Sequence, residues 1–296
     1  MRACASTAVV ALALVAGCSG PSADPGRDAA SRIPDGQFVV GELPRPAGGP
    51  SVTNASTVRS VLTRGRATSV NGLVPVGTAS VLIGVGGDRG YWVINPGARD
   101  PIDNGQLSFQ AGVQVSPLVA GSSLDLHFAA VALDGRVGPP FVVKLAIEDR
   151  PLPAGELVVS LDWATEADLD LHVVDPNGVE IWAKNQNSWA RPAPPEVPDP
   201  TAWMSGGLLD FDSNAQCTVD GRRQENAVWK STPPSGTYTV RVDAFSLCGE
   251  TAAPFRVRVL TPTGALADVR GQLGPSDTRF SHGAGAGVLT TTFTLP

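Results

Sequence analysis

The chain has 296 residues, of which 33 are glycine and 26 are proline, and its formal net charge is −6. Charged residues make up 17% and hydrophobic residues 42%, which excludes both a coiled coil and a fully disordered chain. The acidic balance argues against nucleic acid as a partner, because phosphate backbones are recognised by clustered Lys and Arg.

The chain begins with the features of a secretory signal peptide. Arg2 supplies a short basic region, and residues 8–16 are apolar. A stretch this short cannot cross about 30 Å of hydrocarbon as a helix, but it has the length of the apolar region of a signal peptide. We therefore predict a signal peptide over residues 1–17 and export of the rest of the chain.

Residues 14–18, LVAGC, resemble the lipobox of bacterial lipoproteins. The resemblance implies that Cys18 becomes the lipidated N-terminus, carrying palmitate or similar chains, and anchors the protein in a membrane. Because Ser19 is not Asp, it also implies the outer membrane in a cell with two membranes, and the cell surface otherwise. The alternative is an ordinary signal peptide with a cysteine at this place by chance.

Residues 18–50 are rich in Pro, Gly, Ser and Ala, which predicts a flexible tether. Only residues 37–40, QFVV, are apolar enough to pack locally. Residues 51–149 then contain short apolar runs separated by Gly, Pro and Asn, a pattern typical of a β-sandwich. Residues 56–64 are the one short helical candidate. Residues 128–140, FAAVALDGRVGPP, resemble the end of immunoglobulin-like modules.

A second β pattern follows a predicted linker at residues 150–154. Asn177-Gly178 is a strong hairpin signal between two of its apolar runs. The runs themselves span residues 157–163, 168–174, 179–182, 207–212, 236–245, 254–261 and 288–295. We therefore predict an all-β protein with two immunoglobulin-like β-sandwich domains in tandem, the first over residues 51–149 and the second over 155–296.

The cysteines predict one disulfide. Cys4 leaves with the signal peptide and Cys18 carries lipid, so that Cys217 and Cys248 remain as one pair in an oxidising compartment. The rival hypothesis is a metal site with two cysteine ligands, for which neither a nearby histidine nor a further cysteine is present.

Acidic residues recur at a spacing of two in the second domain. In the run DLDLHV, alternation along a strand places Asp168, Asp170 and His172 on one face and the aliphatic residues on the other. The run LDFD does the same for Asp210 and Asp212. Two strands thus each present paired carboxylates.

These residues belong to motifs that resemble a known family. The motifs, in order, are W-x4-DLDLHV-x-DPNG from Trp163, GG-x-LD-x-D from Gly206, EN at Glu225 and PP-x-GTY-x-VRV from Pro233. They are similar to the YfaP-like domain, an uncharacterised domain of exported bacterial proteins. The resemblance covers residues 155–262 and implies a β-sandwich without a known enzymatic activity. At residues 223–224 the chain has Arg-Gln where the family has Gly-Pro.

The acidic residues predict a cation site, because carboxylates brought together repel one another unless a cation compensates. Ca²⁺ takes six to eight oxygen ligands. The predicted ligands are Asp168, Asp170, Asp210, Asp212 and Glu225, the last in a loop, with His172 and Asn226 as supporting residues behind them. A transition metal would use His172 directly. The alternatives without metal are a hydrogen-bond network and solvated strand faces.

These features together predict a membrane-anchored, exported binding or structural module, stabilised by calcium and without enzymatic activity. Its partner would be a glycan or an envelope protein. Trp182, Trp189 and Trp203, around a Pro-rich loop over residues 185–205, would stack on sugars or a partner, or else cap the sandwich. One alternative function is a metal-dependent hydrolase that uses the Asp and His cluster, and another is an accessory protein of an envelope assembly system.

Overall fold

The computed structural model describes residues 30–296. The predicted signal peptide, the lipidation site Cys18 and the first part of the predicted tether lie outside the described residues. No helix within 30–296 is long and apolar enough to cross a membrane.

The first half of the structure is a sandwich of two sheets. Its ten strands are β1 (Ser31–Arg32), β2 (Gln37–Val40), β3 (Asn54–Thr57), β4 (Val61–Thr63), β5 (Ala67–Pro75), β6 (Thr78–Val85), β7 (Gly90–Ile94), β8 (Gln106–Val115), β9 (Ser123–Ala132) and β10 (Phe141–Glu148). One sheet has the order β1-β8-β5-β3 and the other β2-β7-β6-β9-β10-β4. All pairs are antiparallel except β4 with β10. Ile83, Phe109 and Phe128 lie in the core between the sheets.

The second half is also a sandwich, with a core of its own. Its nine strands are β11 (Leu157–Trp163), β12 (Asp168–Val174), β13 (Glu180–Ile181), β14 (Leu208–Leu209), β15 (Gln224–Trp229), β16 (Gly236–Ser246), β17 (Ala253–Thr261), β18 (Gly264–Leu273) and β19 (Val288–Leu295). The sheets have the orders β14-β15-β11-β17-β18 and β13-β12-β16-β19. Three short 3₁₀ turns complete it, at Ala202–Ser205, Ala215–Cys217 and Asp277–Arg279.

Large aromatic residues fill the second core. Trp163, Trp229 and Tyr238 are fully buried. The ring of Tyr238 meets Trp229 edge-on, with centroids 5.5 Å apart, and stacks on Phe293 at 4.9 Å. The predicted all-β fold class with β-sandwiches is confirmed, because the alternating apolar residues of facing sheets form these cores.

The structure corrects the predicted tether over residues 31–40. β1 pairs with β8, and β2 pairs with β7, so this segment belongs to the first sandwich. The reason is apolar burial: Ile33 is fully buried, and the ring of Phe38 packs 5.0 Å from that of Trp92. Residues 56–64, the helical candidate, instead lie mainly in β3 and β4, where β-branched Thr and Val suit a strand.

The first residue of the predicted linker, Arg150, is held by hydrogen bonds to both sandwiches. Arg150 is 3% exposed and joins the two sandwiches. Its Nη2 donates to the carbonyl of Gly65 at 3.0 Å, and its Nη1 donates to the carbonyl of Arg222. Nearby, Gln114 Nε2 donates to the carbonyl of Ala164 at 2.5 Å. Hydrogen bonds therefore cross from one sandwich to the other at this point.

Candidate functional site

Strand β12 has the alternation predicted from its sequence. Leu169 and Leu171 are fully buried in the core of the second sandwich. Asp168 and Asp170 alternate with them, and they are also buried, at 2% and 7% exposed. The hypothesis of a solvated strand face is therefore wrong for these two carboxylates.

Asp212 joins these two residues from the segment that follows β14. One carboxylate oxygen of each of Asp168, Asp170 and Asp212 lies within 4.8 Å of the others. We call these three residues the Asp triad. Within residues 30–296, this is the group of His, Cys, Asp and Glu side chains whose donor atoms are close enough to share an ion.

The Asp triad has few hydrogen-bond donors around it. Asp168 Oδ2 accepts a hydrogen bond from the backbone N of Gln216 at 2.7 Å. No group in the described part of the chain donates a hydrogen bond to the carboxylate of Asp170 or of Asp212. Burying a carboxylate without a donor or an opposite charge is costly, so the hydrogen-bond network proposed as an alternative does not satisfy this cluster.

The electrostatics of the triad reflect this arrangement. Burial, together with the charges of Asp168, Asp212 and Asp243, raises the pKa of Asp170 to about 7. Burial and the charge of Asp212 raise the pKa of Asp168 to about 6, although the amide of Gln216 opposes the shift. Burial and the charge of Asp220 also raise the pKa of Asp212. The cluster therefore favours either protons or a cation.

Glu225 lies behind the triad and holds the chain in place. It is fully buried in β15, not in a loop as predicted, because the apolar run Ala227–Trp229 that follows it pairs with β11. Its Oε2 accepts from the backbone N of Leu171 at 2.8 Å, and its Oε1 accepts from that of Ser213 at 3.0 Å. Burial and the charge of Asp170 raise its pKa well above the usual range.

The segment that carries Asp212 continues in an unusual conformation. Asn214, Gln216 and Cys217 have φ angles of 60°, 53° and 61°, in the left-handed region that non-glycine residues rarely adopt. Asp220 holds this segment, because its carboxylate accepts from the hydroxyl of Ser213 and the backbone N of Asn214, both at 3.0 Å. Such conformations persist where surrounding structure imposes them, and they concentrate at functional sites.

A disulfide closes the same segment. Cys217 and Cys248 are bonded, with their Cα atoms 5.4 Å apart, which confirms the predicted pair. The bond ties the segment after Asp212 to the end of β16, and Gln216, the donor to Asp168, is the neighbour of Cys217.

Asp210 and Asn226 lie apart from the triad. The carboxylate of Asp210 is exposed and accepts from both the backbone N and the Nδ2 of Asn226, each at 2.8 Å. Only Leu208–Leu209 of the predicted strand over residues 207–212 pairs in a sheet, so the expected alternation does not bring Asp210 and Asp212 to one face. The structure therefore does not bring Asp210 to the group, and it gives Asn226 a structural contact.

His172 is fully buried beside the site. Its Nδ1 lies 2.9 Å from Glu180 Oε1, and its ring stacks on Trp182 with centroids 5.3 Å apart. Its Nε2 has no hydrogen-bond partner among the described residues. Glu180 also accepts from the backbone N of Gly285 at 2.7 Å, so it joins β13 to the glycine-rich segment before β19.

The triad forms the floor of a cavity of about 150 Å³. Trp182, Phe245 and His282 line its sides, and Lys184 lies at its edge. Nδ1 of His282 is 2.7 Å from Oδ2 of Asp243, and the ring of Phe245 lies 5.0 Å from that of His282. Sequence reasoning did not select Phe245, His282 or Asp243. For Asp243 and Phe245, the alternation of residues 242–245, VDAF, in β16 was the one sequence feature that could have indicated a shared strand face.

A larger cavity, of about 660 Å³, lies on the first sandwich. Asp88, Asp125 and Lys144 are among its lining residues. Its lining residues form no group of potential metal ligands in the described chain, and none of them belongs to the second sandwich. We therefore place the candidate site at the triad, where buried charge and an open cavity coincide.

Comparisons with known proteins give no family. No protein-family model matches the sequence, and no curated protein matches it. Among solved structures, the Enterococcus faecalis MSCRAMM ACE, which binds its ligands by the collagen hug model, is 8% identical with a TM-score of 0.21, over 75% of this chain and 93% of that one. A Ca²⁺-stabilised adhesin with which an Antarctic bacterium binds ice is 13% identical with a TM-score of 0.24, over 77% of this chain and 73% of the adhesin chain. At TM-scores this low, neither likeness bears on the function of this chain.

Proposed function

We propose that this protein is an exported, lipid-anchored binding module whose second sandwich is stabilised by a calcium ion at the Asp triad. One observation carries the proposal. Asp168 and Asp170 are buried within 4.8 Å of a third carboxylate, and the carboxylates of Asp170 and Asp212 receive no hydrogen bond from the described residues. Lys184 gives Asp170 one opposing charge, and a cation would supply the further positive charge that three adjacent carboxylates require.

The donor set favours calcium over a transition metal. All three donor groups are carboxylates, and no histidine nitrogen or cysteine sulfur belongs to the group within the part of the chain that the structure describes. Calcium takes six to eight oxygens in a flexible geometry, so water, backbone carbonyls or a bound ligand would complete its coordination. Zinc sites, and the hydrolases built on them, use nitrogen or sulfur ligands. We therefore favour a binding module over a metal-dependent hydrolase.

Calorimetry with calcium or a chelator tests the proposal. At about 100 times the dissociation constant, calcium adds about 2.7 kcal/mol of stability, which corresponds to a rise of about 5–10 °C in Tm. Asp170→Asn removes one ligand and one buried charge. We expect this variant to melt higher than the wild type in EGTA and to respond little to calcium.

Asp210→Asn is the matched control. It removes a carboxylate from the same part of the chain but outside the triad, and we expect it to keep the calcium response. Equal melting midpoints of the wild-type protein in calcium and in EGTA would refute the cation site.

The membrane anchor is proposed from the sequence LVAGC and has a separate test. Cys18→Ala should move the protein from the membrane fraction to the soluble fraction and abolish incorporation of labelled palmitate. Retention of the variant in the membrane fraction would contradict lipidation at Cys18. The resemblance of residues 155–262 to the YfaP-like domain stays a prediction.

A further inference from the structure

The cavity above the Asp triad has a floor and walls of different chemistry. Its floor is the triad, and its walls include the aromatic rings of Trp182 and Phe245. Phe245 is 38% exposed, although it is a large apolar side chain. Trp182 is half-buried, its ring stacks on that of His172, and Lys184 Nζ lies over the same ring, 5.9 Å from its centroid. A ligand in the cavity would therefore contact carboxylate oxygens below and the exposed ring of Phe245 at the side.

Asp170 is the residue that most directly indicates a ligand in the cavity. It is more than nine-tenths buried, it lines the cavity, and it has no hydrogen-bond donor in the described chain. The triad brings together one oxygen from each of its three carboxylates, fewer than the six to eight oxygens that calcium takes. Because the cavity is open above the triad, a ligand that enters it would reach the remaining coordination positions of the ion.

Charge restricts the class of ligand. Asp170 senses the negative charges of Asp168, Asp212 and Asp243, and Glu225 lies close enough to sense Asp170. Lys184 is the cationic side chain at the cavity. Asp243 is paired with His282, and burial disfavours the charged form of Glu225, so the three triad carboxylates are balanced by one calcium ion and Lys184. The loaded cavity then has no excess positive charge to attract an anion, and a neutral ligand that offers oxygen atoms suits it better.

We infer that the cavity binds a neutral pyranose sugar, with two adjacent hydroxyl groups on the calcium ion and the C–H face of the ring against Phe245. The inference rests on the proposed calcium site. Hydroxyl oxygens are uncharged hard donors that suit calcium, and aromatic rings offer apolar area for the sugar ring. The volume of about 150 Å³ is below the ~300–1,000 Å³ of drug-sized pockets, so the cavity accepts one terminal sugar ring.

The test separates calcium binding from sugar binding. Isothermal titration with CaCl₂ alone first measures the ion. Saturation-transfer NMR then measures methyl α-D-mannopyranoside and methyl β-D-galactopyranoside, with the purified protein in saturating CaCl₂ and in EGTA. Tetrahydropyran-2-methanol has a similar ring without adjacent hydroxyls and is the control ligand. We expect at least one glycoside to bind in calcium only, and the control ligand not to bind.

Two variants locate the sugar. Phe245→Ala removes a cavity wall without touching the triad, and we expect it to weaken glycoside binding about three- to tenfold while calcium affinity stays within about twofold. Trp203→Ala removes an aromatic side chain of similar exposure, 45%, outside the cavity, and should change neither affinity.

The outcomes are distinct. Calcium binding without binding of either glycoside overturns this inference and leaves the calcium site intact. Glycoside binding that persists in EGTA, or that survives Phe245→Ala unchanged, also overturns it. Absence of calcium binding overturns both the inference and the proposed function.

Discussion

Asp170 in β12 lies directly opposite Asp243 in the antiparallel register with β16, and both side chains are buried. Like charges at opposed positions destabilise a sheet. Asp243 has a partner, because His282 Nδ1 lies 2.7 Å from its Oδ2, whereas no described group donates to Asp170. Of the two opposed carboxylates, Asp170 is therefore the one left without a hydrogen-bond donor at the Asp triad.

The first prediction concerns pH. The pKa values of Asp168 and Asp170 are raised to about 6 and about 7, above those of the unfolded chain. Protons therefore bind these groups more tightly in the folded protein. Without calcium, their contribution to stability is present at low pH and is lost as the pH rises through about 6 to 7. Calcium competes with these protons, so the calcium-induced rise in Tm should be larger at pH 8 than at pH 5.

Scanning fluorimetry at pH 5 to 8, in CaCl₂ and in EGTA, measures this difference. Asp170→Asn is the control, because it removes one of the two titrating groups and should flatten the pH dependence in EGTA. A calcium effect of the same size at pH 5 and at pH 8 would contradict the prediction.

The second prediction concerns Glu225. Its carboxylate accepts from the backbone N of Leu171 and of Ser213 inside the sandwich. In Glu225→Gln, the side-chain NH₂ group replaces one of the two accepting oxygens and faces one of these backbone N–H donors. We expect the free energy of unfolding to fall by about 2–3 kcal/mol because that backbone N–H loses its acceptor. Urea denaturation measures the loss. Glu196→Gln, at an exposed position in the Pro-rich loop, should stay within about 0.5 kcal/mol, and an equal loss in the two variants would refute the role of Glu225.

The third prediction concerns the disulfide. Replacing both Cys217 and Cys248 by serine opens a loop with a sequence separation of 31 and should cost about 4 kcal/mol. Because Gln216 donates to Asp168, calcium affinity should fall as well. Denaturation and calcium titration measure the two effects. Dithiothreitol should reproduce both losses in the wild type and change nothing in the double variant. If calcium affinity stays unchanged in the double variant, the disulfide does not position the triad.

The fourth prediction concerns the junction between the sandwiches. Arg150→Ala removes the hydrogen bonds to the carbonyls of Gly65 and Arg222 and an ion pair with Asp162, whose charged atoms are 3.9 Å apart. Asp162 would still have an ion pair with Arg258, whose charged atom lies 2.8 Å away, so its buried charge would not be left alone. We therefore expect the free energy of unfolding to fall by about 3 kcal/mol, the low end of the range for breaking a buried ion pair. We expect calorimetry to show one transition for the wild type and two for this variant.

Arg136→Ala is the control for this change. Arg136 forms an ion pair with Asp134 at the surface, and such pairs contribute about 0–1 kcal/mol. If Arg150→Ala is as mild as Arg136→Ala and the transition stays single, Arg150 does not couple the sandwiches.

The sequence alone predicted much of the second sandwich, because its strands alternate clearly. β11, β12, β16, β17 and β19 lie close to the predicted runs. β15 and β18 were missed. β15 begins with Gln-Glu-Asn, which resembles a loop, and β18 contains Gly, Ala, Asp and Arg with few large apolar residues. Pairing with β11 and β17 overrides these weak local preferences.

Alternation along one strand is a local property, so the sequence by itself determined that Asp168 and Asp170 share a face of β12. It also determined the all-β class and the two cysteines that pair. Only the tertiary structure decided that Asp212 joins them while Asp210 binds Asn226, and that Glu225 is buried behind the triad. The reason is that these choices depend on which backbone amides and which sheet edges meet across the sandwich, and pairings between distant segments leave no periodic signal in the sequence.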